Sequence, residues 1–394
     1  MKTFLLLFAS FFWIHSAQAE NVLTKEQQQA ITEIEKLRGK VERDDNRSGK
    51  PVVAVDLSNI RIAGDFLAVL KHLLDLERLD LSGTQITDPS LVHLKVLTKL
   101  RSLNIGSNRI TDTGLVQLRA LVNVEVLNVH ATDITDSGLV HFKGLRKLRS
   151  LSLTFTRVSC AGLPQLRGLP DLRILYLGPN GVTDTGLRKL DGFKLRTLGL
   201  GKAAISDAGL ASLKAARLTE LRELYVHMST ISDAGLTHLQ GFSKLKTLEL
   251  GGTEITDAAL DTLRGLKSLR TLGLSGTKIT DKGLRKLKGL PDLEALDIGD
   301  TRITDTGLQE LPSLNRLRWL GLYGSNISDK GLANLRELPA LEALDLGKTQ
   351  VTRAGVITLR NCKKLRELTL LYGALSRADI QHIQRQLPNV KIIG

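Results

Sequence analysis

The sequence is poor in cysteines and aromatic residues. It has two cysteines, Cys160 and Cys362, and aromatic residues make up 4% of the chain. The repeat register described below places the two cysteines eight repeats apart. At ~4.8 Å per stacked strand this separation is roughly 40 Å, whereas a disulfide needs Cα atoms within ~7 Å. We therefore expect two free thiols.

Long apolar runs are missing after the first few residues. Lys2, the apolar run from Phe4 to Ile14, and Ala17-Gln18-Ala19 have the three-part layout of a secretory signal. The run is shorter than the ~20 residues that span a bilayer, and no cysteine near the cleavage site could take a lipid. We predict that residues 1–19 are a signal peptide cleaved after Ala19. The protein is then periplasmic or secreted.

Enzyme motifs are missing as well. The sequence has no P-loop, no dinucleotide-binding G-x-G-x-x-G after a strand, no H-E-x-x-H, no C-x-x-C and no G-x-S-x-G. His130 and His227 lie four repeats apart, about 20 Å on strand spacing, which is too far to share a metal ion. We predict a protein that is not an enzyme and that has no cofactor and no metal site.

Acidic residues are too few to balance the basic ones. The formal net charge is +14 at pH 7. Such a field favours anionic partners such as acidic proteins, polyanionic glycans or nucleic acid, but it does not determine the fold.

A repeat of 24 residues organises the chain. The segment Leu79 to Asp88 returns as Leu103 to Asp112 and again as Leu127 to Asp136. The apolar residue before a Thr/Ser-Asp pair, or its equivalent, marks fourteen units, at positions 62, 86, 110, 134, 158, 182, 205, 231, 255, 279, 303, 327, 351 and 375.

Each unit reads L-x-x-L-x-L-x-x-T-x-I-T-D-x-G-L-x-x-L and has two periodicities. The first half alternates, as a half-exposed strand does. The second half has a helical apolar stripe, preceded by Ser/Thr-Asp as N-cap chemistry. One strand and one helix cannot bury their leucines alone, so the units must stack. We predict an α/β solenoid, a horseshoe with a concave parallel sheet and convex helices.

The motif resembles leucine-rich repeats of the cysteine-containing type. Thr84, Asn108, Thr132 and Thr156 stand where that type often has Cys or Asn. The resemblance covers residues 51–394. The segment Glu33 to Val41, with Pro51 to Ser58 after it, is similar to the lead-in of secreted leucine-rich-repeat proteins of planctomycete-type bacteria. Eukaryotic relatives are substrate-recognition arms behind an F-box, but no F-box precedes this array, so that role does not carry over.

Polar ends are expected on such an array. Residues 20–50 are predicted to form an N-terminal cap and link, with an amphipathic helix over Lys25 to Arg38 and a polar link over Gly39 to Lys50. Residues 51–394 are the solenoid, which ends in a capping helix over Arg377 to Gln386 and a short strand over Val390 to Ile393.

Two irregular steps lie together in the array, 23 residues into Ile205 and 26 residues into Ile231. They predict a kink or an altered convex loop near Leu210 to Leu221.

Aligned columns of the repeat carry polar residues that have a structural explanation. Ten aspartates, among them Asp88 and Asp112, stand at helix starts, where a carboxylate can accept backbone N–H groups. A calcium ladder is the alternative. The Thr/Asn column is interpreted as a side-chain ladder that satisfies backbone groups between turns.

A basic column precedes the strands. Arg149, Arg173, Arg196, Arg222, Lys246 and Arg270 supply a cation in six successive repeats and form a predicted anion-binding stripe. The alternative is that these side chains fan into solvent, with Glu125 and Glu294 pairing with their neighbours.

Large side chains are rare at the exposed strand positions. Trp319 and Tyr323 flank Gly321, and we predict that both rings stand on the concave face above a floor of Ala295, Gly299, Ala343 and Gly347. Tyr176 and Tyr225 border Gly199, with His130 and His227 on adjacent columns. These six aromatic and histidine residues are the predicted partner-binding site, because aromatic anchors beside small residues are typical of interface hot spots. Alternatively, they only shield the sheet.

The sequence thus favours an exported, non-enzymatic scaffold that binds a protein on its concave face. The alternative is a binder of an anionic glycan or another polyanion through the basic column. An enzyme is a distant third. We do not expect nucleic acid as the partner, nor a membrane span after signal cleavage, and we expect a monomer rather than an oligomer.

Overall fold

The computed structural model describes residues 23–373 and 375–394. Within them, 16 strands form one sheet in which every strand pairs with its neighbours in sequence. The first two strands are antiparallel. The following pairs are parallel, from the second strand to the last. This open, consecutive order confirms the predicted solenoid.

The strands are short, and most span three residues. In chain order they are β1 Lys40–Arg43, β2 Val52–Asp56, β3 Arg78–Asp80, β4 Ser102–Asn104, β5 Val126–Asn128, β6 Ser150–Ser152, β7 Ile174–Tyr176, β8 Thr197–Gly199, β9 Glu223–Tyr225, β10 Thr247–Glu249, β11 Thr271–Gly273, β12 Ala295–Asp297, β13 Trp319–Gly321, β14 Ala343–Asp345, β15 Glu367–Thr369 and β16 Lys391–Ile393.

Strands β2 to β15 supply one strand for each of the fourteen predicted repeats. The central leucines stack in register, as Leu79 pairs with Leu103 and Leu103 with Leu127, and all three are buried. The residues on either side of each leucine face away from the core, because side chains alternate along a strand. One apolar core therefore runs the length of the array, and the other sheet face is free for partners.

The convex side carries short helices of two kinds. The α-helices are α1 Lys25–Lys36, α2 Asp207–Ala215, α3 Asp233–Leu236, α4 Ala259–Leu263, α5 Asp281–Leu284, α6 Asp329–Leu335, α7 Arg353–Ile357 and α8 Arg377–Gln386. The 3₁₀ helices are Gly64–His72, Asp88–Val96, Gly114–Ala120, Asp136–Phe142, Leu163–Gly168, Thr185–Leu190, Thr237–Leu239, Arg285–Gly289, Gly307–Ser313 and Thr358–Asn361. A repeat of 24 residues also contains a strand and two turns, which leave only a short convex segment. Short helical segments often adopt 3₁₀ geometry. None of the described helices has the length and apolar content needed to cross a membrane.

The irregular repeats change the convex side, as predicted. The step of 26 residues gives room for α2, whose nine residues make it the longest helix between the two terminal helices that is α-helical throughout. Leu210 and Leu213 of α2 are buried, so the longer helix still packs its leucines into the common core.

The ends of the array carry capping elements. Helix α1 starts with a capping box between Thr24 and Gln27, and α8 spans the residues predicted for it. The polar link predicted over Gly39 to Lys50 is wrong in part, because Lys40–Arg43 forms strand β1 and pairs with β2. This extra strand covers backbone groups of β2 that would otherwise lie at an open sheet edge.

The aspartates at the helix starts bind the next repeat. Asp112 Oδ1 accepts the N–H of Thr135 at 2.8 Å, and its Oδ2 accepts the Thr135 hydroxyl at 2.6 Å. All ten aspartates make this pair of bonds, with Thr111, Thr135, Ser159, Ser206, Ser232, Thr256, Thr280, Thr304, Ser328 and Thr352.

The aspartates thus accept backbone N–H groups, as predicted, but the N–H belongs to the next repeat and not to their own helix. The helix cap comes from the preceding hydroxyl, as Ser206, Ser232 and Thr280 each accept the N–H two residues later. Because the hydroxyl already accepts this N–H of the helix, the carboxylate can accept hydrogen bonds from the next repeat instead. We call this column of aspartates the aspartate ladder.

The ladder also explains the glycine of the T-D-x-G motif. A Cβ atom built on Gly209 would lie 2.6 Å from Asp184 Oδ1. The same conflict, with the aspartate of the preceding repeat, occurs at Gly162, Gly283 and Gly331. The glycine makes room for the carboxylate.

The Thr/Asn column satisfies backbone groups in two ways. Thr84, Thr132 and similar threonines donate to the carbonyl three residues earlier in their own turn. Asn108 reaches between turns, since its amide donates to the Leu81 carbonyl at 2.7 Å and its Oδ1 accepts the Ile86 N–H at 3.2 Å. The predicted ladder between turns is thus confirmed where an asparagine takes part, as Thr84 also reaches Asn108 Oδ1 at 3.3 Å, whereas the shorter bonds of the threonines lie within one turn.

Both cysteines are free, as predicted, and both are buried. Cys160 occupies the ladder position of its repeat, where the other repeats from residue 88 to residue 329 have aspartate. Burial raises the pKa of the Cys160 thiol, and it raises the pKa of Cys362 to about 11. Both thiols are therefore protonated at neutral pH and act as small apolar side chains.

Candidate functional site

The concave sheet face collects most of the residues that the sequence predicts as a site. Tyr176, Tyr225 and Trp319 lie in strands β7, β9 and β13, and Tyr323 follows β13 by two residues. His130 and His227 occupy that same position after β5 and β9. The six residues spread over nine strands, from β5 to β13, so they form a band along the concave face and not a single pocket.

The two tyrosines at the centre of the face form a pair. Gly199 of β8 pairs in register with Tyr176 on one side and Tyr225 on the other. The ring centroids are 6.3 Å apart with an interplanar angle of 48°. A Cβ on Gly199 would lie 3.0 Å from Tyr176 Cε1, so the ring covers the glycine. The missing side chain lets the two rings meet across one strand.

Glu223 holds the tyrosine pair from one side. Its Oε2 accepts the Thr197 hydroxyl at 3.1 Å and the Tyr225 hydroxyl at 3.4 Å. Burial and the charge of Glu223 raise the pKa of Tyr225 to about 12, and the same two causes raise the pKa of Tyr176. Both phenols are protonated at physiological pH and can donate hydrogen bonds.

The second aromatic pair lies over small residues. Trp319 is 37% exposed. A Cβ on Gly321 would lie 2.6 Å from Trp319 Cη2, and a Cβ on Gly347 would lie 2.8 Å from Tyr323 Cδ2. Both rings therefore lie over glycines and bury apolar area against them. The Lys348 ammonium is 5.8 Å from the centroid of the Tyr323 ring, within cation–π range.

The two histidines also lie over glycines. The ring of His130 covers Gly106, and that of His227 covers Gly201. His130 is further held by Ser107 Oγ at 3.0 Å and Asn128 Oδ1 at 3.1 Å. Burial, and then the charge of Lys202, lowers the pKa of His227, which keeps that ring neutral. Within residues 23–373 and 375–394, no group of three or more His, Cys, Asp or Glu could hold a metal ion.

Sequence reasoning missed the carboxylates on this face. Asp297 and Asp345 flank Gly321 in register, and Glu249 lies three strands before Gly321. Asp297 Oδ1 would be 2.7 Å from a Cβ on Gly321, and Glu249 lies over Gly273 in the same manner. Glu249, Asp297 and Asp345 are each the third residue of their strand, so an alignment of the repeats at this position would have shown them in one column.

Burial perturbs these carboxyl groups. Burial, and then the charge of Asp297, raises the pKa of Glu249 to about 7. Burial also raises the pKa of Asp297, with Asp345 and Asp300 adding repulsion. Because the carboxylates share a partly desolvated surface, a cation placed among them would be strongly favoured.

Two exposed apolar residues border the concave face and were also missed. Phe155 is 56% exposed and Met228 is 60% exposed, and both lie in the turn that follows a strand. Their φ values are 56° and 55°, in the left-handed region that bulky residues avoid. The same turn position holds glycine in several repeats, such as Gly83 and Gly252, so these large side chains are a departure from the repeat.

The basic stripe is divided by ion pairs. Arg149 pairs with Glu125 at 3.3 Å and Arg270 pairs with Glu294 at 3.1 Å, as the alternative interpretation expected. Arg173 donates to the Pro170 and Leu172 carbonyls.

Three cations of the stripe stay available. Arg196, Arg222 and Lys246 have no carboxylate of the described residues within 4.0 Å. The continuous run of cations that the sequence predicts over six repeats is thus reduced to three successive repeats.

Family models match the chain in four segments. One model, described as leucine-rich repeat, matches residues 98–158 and 219–279. A model of two leucine-rich-repeat copies matches residues 75–118, and a further leucine-rich-repeat model matches residues 289–311. No curated protein matches the chain.

Several solved structures are similar to this chain. An internalin from Listeria monocytogenes is 22% identical with a TM-score of 0.47, and the match covers 94% of this chain and 95% of that one. A leucine-rich-repeat protein from Leptospira interrogans is 18% identical with a TM-score of 0.45, over 83% of this chain and 92% of that one. The plant peptide hormone receptor RGFR1, solved in complex with RGF2, is 16% identical with a TM-score of 0.42, over 86% of this chain and 62% of that one.

The matched segments contain the strand and helix pattern that the structure repeats fourteen times, with one parallel strand in each unit. The chain thus has the solenoid fold of parallel strands, and four of its segments are similar to leucine-rich repeats.

Proposed function

We propose that this chain is a non-enzymatic scaffold that binds a protein partner on its concave face. The observation that supports the proposal is the band of rings on glycines. Tyr176, Tyr225, Trp319 and Tyr323 are the large aromatic side chains of this face. A partner that covers them would bury apolar area on rings that already have fixed positions.

The fixed positions matter for affinity. The rings of Tyr176, Trp319 and Tyr323 each lie over a glycine, and the Tyr225 hydroxyl is bonded to Glu223, so the four rings have little rotamer freedom left to lose on binding. The rings also carry polar groups, because the Tyr176 hydroxyl and the Trp319 indole N–H can donate to a partner. Rigid aromatic anchors of this kind dominate the energy of protein interfaces.

The proposal is tested by affinity capture from the envelope fraction of the source organism, followed by titration of the purified partner. We expect Trp319→Ala with Tyr323→Ala, or Tyr176→Ala with Tyr225→Ala, to weaken binding by at least about 2 kcal/mol. Tyr372→Ala is the matched control, because Tyr372 is 80% exposed on a turn near the end of the array. A partner that binds both double variants as tightly as the wild type would overturn the proposal.

We also propose that the chain is exported. The supporting observation is the signal-like sequence of residues 1–19, which lies outside the described residues. N-terminal sequencing of the native protein should begin at Glu20. A mature chain that retains Met1 would contradict export.

A polyanion, such as an anionic glycan, is the second candidate partner. It is supported by Arg196, Arg222 and Lys246, which immediately precede three successive strands and have no ion pair to a described carboxylate. Binding to a heparin resin separates the two candidates, since polyanion binding falls steeply with salt. Reversing these three cations to Glu should abolish it, whereas reversing three convex cations should act only in proportion to net charge.

The repeat subtype and the assembly state stay predictions. We propose that the repeats are of the cysteine-containing type. We also propose that the chain is similar to secreted planctomycete-type proteins, because of the lead-in segment Glu33 to Val41. The regular stacking of the repeats supports a monomer. Sedimentation of the purified chain tests the monomer directly.

A further inference from the structure

The outer surface of the first repeats carries a line of exposed valines. Val92, Val116 and Val140 are 24 residues apart and lie on three neighbouring convex helices. They are 36%, 41% and 37% exposed. Branched apolar side chains seldom recur in line on a solvated surface unless something covers them.

A basic residue accompanies each of these valines. The helices Asp88–Val96, Gly114–Ala120 and Asp136–Phe142 are 3₁₀ helices, in which residues three apart lie above one another. Each valine is therefore aligned with the residue three positions later, which is Lys95, Arg119 or Lys143. We call these six residues the valine–base stripe.

The cations of the stripe are not neutralised. Within residues 23–373 and 375–394, Lys95, Arg119 and Lys143 have no carboxylate within 4.0 Å. Arg119 Nε instead donates to His141 Nδ1 at 3.0 Å. Burial, and then the charge of Arg119, lowers the pKa of His141, which keeps that ring able to accept the bond.

The acids of this part of the chain are all engaged elsewhere. Residues 89–170 contain eleven Lys and Arg but four Asp and Glu. Asp112 and Asp136 belong to the aspartate ladder, Glu125 pairs with Arg101 and Arg149, and Asp133 pairs with Arg157. None of them is left to neutralise the stripe.

The same positions in later repeats are built differently. Asp261 stands in the valine column and pairs with Arg264 at 3.8 Å and with Lys286 at 2.6 Å. Glu310 pairs with Arg285 and Lys288, both at 3.0 Å. In these two repeats the valine column holds a charged residue and the cation three positions later is paired, so the repeat itself does not require exposed valines beside free cations.

We propose that the valine–base stripe is a contact surface for an anionic lipid bilayer. The valines lie at headgroup depth and the Lys and Arg side chains reach the lipid phosphates. Charge complementarity supports an anionic partner, and the exposed valines require that its surface also offers apolar contact. A bilayer offers both along a line, at any register.

A protein partner is the less favoured occupant. Tight protein interfaces are centred on aromatic residues that fill pockets, and the stripe has identical small valines in place of such anchors. A cationic side chain near an anionic bilayer contributes about 1 kcal/mol, so three of them with partly buried valines give reversible, salt-sensitive attachment. The concave face would then stay open to its partner while the convex side rests on lipid.

The proposal is tested by cosedimentation of the purified chain with vesicles of phosphatidylcholine and phosphatidylglycerol, and with vesicles of phosphatidylcholine alone. We expect binding to the mixed vesicles that weakens with salt, and little binding to the neutral ones. Replacing Val92, Val116 and Val140 with Ser leaves the net charge unchanged and should weaken binding roughly tenfold. Neutralising Lys95, Arg119 and Lys143 to Gln should weaken it roughly a hundredfold.

The matched control neutralises the same column of later repeats, with Arg264→Gln, Lys288→Gln and Arg336→Gln. It removes the same charge and should weaken binding only a few-fold. Equal losses from the two sets, or no loss from the serine variant, would show attraction by net charge alone and overturn the proposal. It would also be overturned by a wild-type chain that ignores both vesicles but self-associates in sedimentation through the valines, which would make a second copy the occupant. Urea denaturation of each variant verifies that it remains folded.

Discussion

Residues 89–170 and residues 251–350 share one framework and differ in what they present to solvent. Both segments contain the aspartate ladder, with Asp112 bound to Thr135 in the first and Asp281 bound to Thr304 in the second. Outside that framework, the first segment presents exposed valines and free cations on its convex side. The second presents Trp319, Tyr323 and partly buried carboxylates on its concave side.

The difference separates residues that build the repeat from residues that use it. A residue that recurs in every unit binds the next unit, as the ladder aspartates do. A residue that occurs in only one segment is not required for the stacking of repeats, so its presence there has a cause other than stacking. The comparison therefore predicts that changes in the framework affect stability equally in both segments, while changes on the two surfaces affect binding.

The largest expected effect is loss of a ladder bond. Asp112→Ala and Asp281→Ala each remove two hydrogen bonds to a charged acceptor and leave a backbone N–H of the next repeat without its partner. We expect each to lower the free energy of unfolding by about 3 kcal/mol. Urea denaturation and hydrogen exchange at the Thr135 and Thr304 amides measure it. Clearly unequal losses would show that the two segments do not share one framework.

A smaller loss is expected from the glycine beneath the ladder. Gly209→Ala should raise helix propensity by about 1 kcal/mol, but its Cβ would meet Asp184 Oδ1 at 2.6 Å. We expect the clash to dominate, with a net destabilisation of about 1–3 kcal/mol. Gly168→Ala is the control, since nothing lies within 4 Å of its Cβ position. Stabilisation by Gly209→Ala in thermal or urea denaturation would contradict the packing argument.

The smallest expected effect is the pH dependence caused by Glu249. Its pKa is raised from 4.5 to about 7 in the folded chain. The folded state therefore binds more protons than the unfolded state between these values, and stability falls as pH rises through this window. Glu249→Gln should remove this fall.

Denaturation at two pH values measures the effect. We expect Glu249→Gln to match the wild type near pH 4 and to be more stable above pH 7, by on the order of 1 kcal/mol once solvent screening is allowed for. Asp80→Asn, on the same column far from Glu249, is the control. A wild-type chain whose stability rises from pH 5 to pH 7 relative to Glu249→Gln would contradict the burial of this carboxyl.

Local signals were sufficient for the elements that repeat. The alternation around Leu79 and the hydroxyl before each helix have a fixed spacing, so their places in strand and cap follow from the sequence. The glycine of the T-D-x-G motif was not explained in advance, because its reason is the Asp184 carboxylate, which lies more than twenty residues earlier in the chain. A contact between two turns leaves no pattern in the sequence of either turn alone.

The candidate site was predicted in part for the same reason. Tyr176 and Tyr225 stand out because they are large residues in a column of small ones, and they do meet across Gly199. Asp297 and Glu249 were overlooked because acids are common in this sequence, and only their burial on the concave face distinguishes them. Arg149 and Arg270 were assigned to an anion site, but Glu125 and Glu294 lie close enough to pair with them.

The sequence by itself determined the solenoid, its fourteen units and the residues of its core, because a 24-residue period of leucines can be buried only by stacking. It also determined that the two cysteines stay free. The tertiary structure decided which neighbouring units each polar side chain binds: the aspartates join repeats, and three of the four aromatic rings lie over glycines. It also decided that Arg264 and Lys288 are paired with acids, whereas Lys95, Arg119 and Lys143 have no carboxylate of the described residues within 4.0 Å. Those choices depend on distances between turns, and such distances exist only once the turns are stacked.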